Sequence, residues 1–229
     1  MLGGFPLLAA GETIAGPESV STGVSNVGAG LTILAVAGAL LLTLLLRPTL
    51  TAMLRHMSSR MGTRRVTRIL RRRCPNVLDD FILPGAFGGL TRIDHAVLTG
   101  GGVICILTRH YDGIVFGEPD DPQWTNVDGV RRRKFLNPQI QNEGRANALR
   151  KIVSDLPVAN LVVFTGNVEF TSPRDENVIH ASELDGYITK FDFGPSEISD
   201  WDATWLTIRS SALTDEDSRK DFDAQLSFG

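Results

Sequence analysis

Arg92-Ile93-Asp94-His95-Ala96-Val97-Leu98-Thr99-Gly100-Gly101-Gly102-Val103-Ile104-Cys105-Ile106-Leu107-Thr108-Arg109-His110-Tyr111-Asp112-Gly113 holds two short apolar segments, Ile93 to Leu98 and Val103 to Arg109. Apolar runs of this length bounded by turn residues read as strands, and the Thr99-Gly100-Gly101-Gly102 turn between them predicts an antiparallel hairpin. Alternate residues of a strand share a face, so an acid-x-cation pair on the second strand would aim both side chains the same way. Asp112-Gly113 is a second turn and predicts a short strand over Ile114–Phe116, with a further strand at Trp124–Val127 and a third turn at Asp128-Gly129.

Working outward, Val77 to Leu83 reads as another strand, and Arg60 to Arg73 as a helix with Met61, Val66, Ile69 and Leu70 on its apolar side, stopped by Pro75. Downstream, Asn137 followed by Pro138 is an N-cap signal. Ile140, Gly144, Ala148 and Ile152 recur every four residues, which predicts a helix over 138–153 whose glycine lets a neighbouring backbone approach. Asn160 to Thr165 is apolar without alternation, as in a strand covered on both faces inside a sheet. A short helix is expected over Ser182–Phe191, a second around Trp201, Trp205 and Ile208, and a last one from a Thr214/Asp217 capping box to about Leu226. The order α-β-β-β-α-β-α implies an α/β sandwich.

The chain of 229 residues is 42% hydrophobic and 21% charged, which excludes disordered, collagen-like and cysteine-scaffold classes. The average conceals two unlike parts. Val27 to Leu46 is a run of 20 residues broken only by two threonines, long enough to cross a bilayer as one helix of about 30 Å. Before Arg47 there is no Lys or Arg, and then come Arg47, Arg55, Arg60, Arg64, Arg65, Arg68, Arg71, Arg72 and Arg73. Positive flanks stay in the cytoplasm, so the expectation is a single-pass anchor in the inner (cytoplasmic) membrane, N-terminus out and C-terminal domain cytosolic. A basic start and a small-residue cleavage site are both missing, against a cleaved signal. The expected divisions are an extracytoplasmic segment 1–26, a transmembrane helix 27–46, a basic juxtamembrane segment 47–58, a globular domain 59–190 and a helical extension 191–229. Residues 74–229 hold 14 basic and 24 acidic side chains, so the body is acidic, and any nucleic-acid contact must use local patches. The arginines of 55–73 are read first as contacts for anionic lipid headgroups. Cys74 and Cys105 lack metal-site spacing and are expected as free thiols.

In metal-dependent nucleases a hairpin presents one carboxylate from its first strand, then an acid and a lysine two residues apart on the second. Carboxylates hold Mg²⁺ there, and the cation stabilises charge on phosphate. The matches at Ile93-Asp94-His95, Gly102, Ile106, Thr108, Tyr111, Gly113, Gly117, Trp124, Phe135, Asn137, Pro138 and Gln141 resemble the NERD (nuclease-related) domain family over about residues 59 to 190. The resemblance implies a restriction-endonuclease-like α/β fold and a relation to Mg²⁺- or Mn²⁺-dependent DNA cleavage.

The departures fall on the chemistry. The family's glutamate aligns with Leu107, its lysine with Arg109, and a further helix acid with Thr63, so Asp94 is the single acid of the pattern that is kept. The resemblance therefore implies a degenerate site built on Asp94, Arg109 and Gln141, with Asp94 a weak metal ligand, and a binding or assembly module rather than an efficient enzyme. The alternative is an active divalent-metal endonuclease recruiting Asp79, Asp80 or Asp112 in place of the lost acids. Asp94 also has a plainer reading, as a hydrogen-bonding residue that orders the hairpin. His95 and His110 are expected to be packed rather than catalytic, and Tyr111 and Trp124 to serve the core. Arg109 with Arg131, Arg132, Arg133 and Lys134 are the candidate nucleic-acid contacts, although a solvated loop is the simpler expectation for the last four. Expected partners are membrane and DNA. Small residues Ala35, Gly38 and Ala39 in the span admit a homo-oligomer, and other membrane-complex subunits are the alternative partners.

Overall fold

The computed structural model describes residues 23–171, 174–192, 198 and 200–227. Contacts divide the chain into two units, Met1–Met53 and Leu54–Gly229. The first segment, expected as extracytoplasmic over 1–26, lies outside the described residues through position 22. α1 (Gly23–Arg73) is helical throughout and contains the whole apolar run of 27–46. The helix runs on without a break through 47–58, the stretch expected as a basic juxtamembrane segment. Among the described residues no helix is long and apolar enough to cross a membrane. Side chains at 27–31, 33, 44 and 46 of the apolar run lie outside that description.

In the second unit, the chain follows α1 with β1 (Val77–Pro84), β2 (Leu90–Thr99), β3 (Gly102–His110), β4 (Gly113–Phe116), β5 (Gln123–Asp128) and β6 (Arg131–Leu136). Then come α2 (Pro138–Ile152), β7 (Val158–Thr165), β8 (Val168–Phe170), β9 (Val178–His180), α3 (Leu184–Asp192), α4 (Trp201–Ser211) and α5 (Glu216–Ser227). One sheet has the order β1-β2-β3-β7-β9, antiparallel as far as β3 and parallel beyond it. The other, β6-β5-β4-β8, is the expected meander with β8 added in parallel. This is a mixed α/β architecture of the kind a nuclease-like fold requires. β7 is interior to its sheet, as its unbroken apolar run predicts.

Each face of the larger sheet carries a core. On one, Ala96, Leu98, Val103 and Cys105 pack with Ala146 and Leu149 of α2 and Ile208 of α4. On the other, Val97, Ile104 and Ile106 pack with Val66 and Leu70 of α1 and Ile188 of α3. The parity is what strand alternation demands: odd residues of β3 face α2, even residues face α1.

Several expectations are corrected. Arg131 to Lys134 are a strand, not a loop, because they pair with Asp128 to Thr125 across the Asp128-Gly129 turn. Gly144 does not receive a neighbouring backbone: it is exposed, and nothing lies within 4 Å of where a Cβ would stand. The final helix is capped by Asp215 rather than Thr214, its carboxylate accepting from Ser218 N at 2.8 Å and from Ser218 Oγ at 2.8 Å. The extension also does more than form helices. Leu213 pairs with Ile82 at the outer edge of β1, and Gln225 both accepts from Leu90 N at 2.7 Å and donates to Leu90 O at 3.0 Å.

Candidate functional site

The antiparallel register of β2 and β3 runs to His95 opposite Ile106, so one step further places Asp94 across from Leu107. The backbone ladder stops there, and the Asp94 carboxylate takes over as acceptor: Thr108 N donates to Asp94 Oδ2 at 2.9 Å. Leu107 is fully buried and offers no ligand. Arg109, two residues on and on the same face, donates to Gln141 Oε1 of α2 and to Thr108 O. Burial lowers the Arg109 pKa from its ordinary value, opposed by the nearby negative charge of Asp94. The structure thus brings Asp94, Arg109 and Gln141 together on the α2 side of the sheet. Arg145, one helical turn after Gln141, completes the wall by donating to Gln141 O at 3.0 Å and to Arg92 O at 2.7 Å. α2 is held against the strands by Asn142, wholly buried, whose Nδ2 donates to Cys105 O at 3.0 Å and Asn160 Oδ1 at 2.7 Å.

Thr63 does not enter this site: its hydroxyl donates back to Ser59 O in its own helix at 3.2 Å. The three acids considered as substitutes are committed elsewhere. Asp79 joins His95 Nδ1 at 2.6 Å and Arg71 at 2.8 Å. Asp80 pairs with Arg92 at 2.6 Å and with Arg219 of α5 at 2.9 Å. Asp112 accepts from Asn167 N at 2.8 Å, its other oxygen 4.0 Å from His110 Nε2. Among the described residues no cluster of three His, Cys, Asp or Glu side chains is placed to hold a metal ion. The donor set around Asp94, one carboxylate beside a leucine and a guanidinium, does not fit Mg²⁺ or Mn²⁺, which need several oxygen ligands and keep their waters tenaciously. His95 and His110 are packed on the α1 side, His110 Nδ1 meeting Thr165 Oγ1 at 3.1 Å. Gly62 makes that packing feasible, since a Cβ there would come within 2.2 Å of Thr165 Oγ1.

Arg131, Arg132, Arg133 and Lys134 are exposed along β6. Tyr111 connects them to the site. Its ring stacks on Phe135 at 4.5 Å, and its hydroxyl is pushed above the ordinary tyrosine pKa by burial, opposed by the positive charges of Arg109 and Arg133. Trp124 stacks on Phe164 at 6.4 Å, which gives both aromatics the packing role expected of them. Arg145 and Asn142 were missed by sequence reasoning. The four-residue spacing from Gln141 pointed to the first, and the i, i+4, i+7 spacing with Ala146 and Leu149 to the second.

No solved structure matches this chain. It is 30% identical to an uncharacterized protein of Bacillus anthracis over 109 residues, 45% of this chain and 50% of that protein. The chain thus spans half the length of that curated relative. Residues 58–165, from the last turns of α1 through the hairpin, the meander and α2 to the end of β7, match the family model for NERD, the nuclease-related domain.

Proposed function

We propose that this chain is a membrane-anchored, nuclease-related module that binds the phosphate backbone of nucleic acid without efficient cleavage. The observation that carries the reading is the state of the Asp94–Arg109 site. Its one carboxylate is turned onto a backbone amide, while its cation, with the Asp94 charge nearby, hydrogen-bonds among the described residues only to the neutral oxygens of Thr108 and Gln141. A guanidinium held half-buried by an amide is suited to a phosphate oxygen, and it remains protonated at any physiological pH. Cleavage lacks its parts: among the described residues there is no constellation of oxygens for a divalent cation, and arginine does not serve as a base.

The anchor rests on a separate feature. Leu34, Val36, Leu40, Leu41, Leu42 and Leu45 of α1 are each more than half exposed, an apolar surface that lipid covers at no cost. The test uses the full chain in neutral detergent. Plasmid and single-stranded DNA incubated with Mg²⁺ or Mn²⁺ should be cut no faster than by Asp94→Ala, while Arg109→Gln should weaken DNA binding at least tenfold in fluorescence anisotropy. Metal-dependent cutting abolished by Asp94→Ala overturns the reading. Resistance of the membrane-bound chain to alkaline carbonate extraction tests the anchor independently.

A further inference from the structure

We infer that the Asp94–Arg109 site takes the end of a nucleic-acid strand, holding a terminal phosphomonoester among Arg92, Arg109 and Arg145. The inference rests on the nucleic-acid reading of Arg109 and deepens it by naming which phosphate is bound.

The site is a notch made where two strands part. β2 stays paired with β1 as far back as Leu90, and β3 stays paired with β7 as far as His110, but β2 and β3 separate beyond His95 and Ile106. Arg92 and Asp94 are two residues apart on β2 and share the face on which β3 presents Arg109. α2 lies over that face, and its Gln141 tethers two guanidinium groups at once, Arg109 through Oε1 and Arg145 through its backbone oxygen. Arg145 also donates to Arg92 O at 2.7 Å, so all three arginines border one opening.

Their donors are not used up. Among the described residues nothing accepts from Arg92 Nη1, Arg109 Nε or Arg145 Nη2. Arg92 is exposed, and neither of the other two nitrogens is a buried unpaired atom, so a ligand can reach all three.

The charge selects the ligand. Asp80 is shared between Arg92 at 2.6 Å and Arg219 of α5 at 2.9 Å. Four guanidinium charges thus stand against the carboxylates of Asp80 and Asp94, a positive surplus of two in an otherwise acidic body. Arg109 lies in the field of both neighbours: burial lowers its pKa, Asp94 opposes that, and Arg145 adds to it. A phosphodiester inside a strand carries one charge, whereas a terminal monoester carries about 1.5 to 2 at pH 7 and offers three acceptor oxygens, one for each unspent nitrogen. Access points the same way. Arg109 is only partly exposed, between two strands and a helix, and an internal phosphate would bring a sugar on either side where an end brings one.

The experiment uses the full chain in neutral detergent and a short fluorescent DNA strand with a phosphate at its 5′ end, at its 3′ end, or at neither. A fourth strand carries the methyl ester of the terminal phosphate, an end with a single charge. Anisotropy should show at least tenfold tighter binding of one phosphate-ended strand than of the hydroxyl-ended strand, and the two ends tested separately identify which terminus is held. The methyl ester should bind within about threefold of the hydroxyl-ended strand. Arg145→Gln should bring the phosphate preference to within twofold, and Arg92→Gln, a change at an exposed side chain, should reduce it at least threefold. Lys220→Gln removes one exposed cation elsewhere and should keep the preference. Near-ultraviolet circular dichroism from Trp124 checks that the variants share one fold. If the wild type binds all four strands alike while Arg109→Gln still weakens binding, the strand-end inference is overturned and the phosphate-binding reading stands. If a phosphate preference survives both Arg145→Gln and Arg92→Gln, the end is held elsewhere and the inference is overturned. If the wild type binds none of the strands, both fall.

Discussion

Removing the Asp94 carboxylate should cost stability and leave metal response untouched. In Asp94→Ala, Thr108 N loses its acceptor at the point where the β2–β3 ladder ends. A hydrogen bond to a charged group contributes about 1.5 to 3 kcal/mol, and Asp94 is only half-buried, so about 2 kcal/mol is expected. For a chain of this size that lowers the unfolding midpoint by about 4 to 8 °C. Asp94→Asn keeps an acceptor oxygen and should stay within about 1 kcal/mol of wild type. The assay is thermal unfolding by circular dichroism of the full chain in neutral detergent, first with a chelator and then with Mg²⁺ or Mn²⁺ at about 10 mM. Were Asp94 the anchor of a metal site with a dissociation constant near 0.1 mM, that addition would stabilise the wild type by about 2.7 kcal/mol. We expect the same small salt response from wild type and Asp94→Asn. A metal-dependent rise seen in wild type and lost in Asp94→Asn would refute the argument from the donor set. Wild-type stability in Asp94→Ala would equally dispose of the hairpin clasp.

Other outcomes follow from the packing and the charges. Gly62→Ala should destabilise by about 1 to 2 kcal/mol in urea unfolding, because the gain in helix propensity is smaller than the clash with the Thr165 side chain; an unchanged midpoint would speak against the close approach. Burial raises the Asp79 carboxyl, but hydrogen bonds and charges from His95 and Arg71 outweigh it, leaving the pKa below its ordinary value of 3.8. A lowered folded-state value means stability that is present above the unfolded value and lost as pH falls through the folded one, so Asp79→Asn should flatten the stability–pH curve below about pH 4. Burial pushes the Cys105 thiol up to about 12 and raises that of Cys74, so neither should react with a disulfide reagent at pH 8 until denaturant is added. Ile208→Ala, in the core under α4, should cost about 2 to 4 kcal/mol, a loss that would be absent if the extension were loosely attached.

The parts of the fold legible in the sequence are those with local causes. The glycine turn at 99–102 fixes a hairpin, and Asn137 before Pro138 starts α2, with Asn137 Oδ1 accepting from Gln139 N at 2.9 Å. Strand alternation also predicted that Leu107 and Arg109 would share a face, and the resemblance brought in Gln141. What was illegible depended on partners distant in sequence. β6 is polar on both faces, so its four cations carry no period. β8 and β9 have three residues each, too few for alternation to show, and exist because β4 and β7 offer edges for parallel pairing. The Thr214 cap failed by one residue because Asp215 presents a better acceptor next door. Gly144 misled because a four-residue repeat marks a helix face without saying whether anything covers it.

β3 is paired with β7, and β4 with β8, in parallel and with one constant offset of 55 residues, from Val103 opposite Val158 to Val115 opposite Phe170. The two sheets therefore share a single ladder folded at a corner, where Gly113 at φ 83° and Gly166 at φ 98° press against backbone oxygens of Val127 and Tyr111. Such a ladder counts residues. One residue inserted between Arg109 and Gly113 alone would shift the whole second sheet by a step against β8 and turn the Trp124–Phe135 layer outward. An insertion compensated in the opposite arm, between Phe164 and Val168, would restore the match. Lengthening the crossover between β6 and β7 carries no such constraint. In a laboratory lineage, length changes at the corner should survive only as matched pairs, which gives a genetic readout of the fold that needs no assay of function.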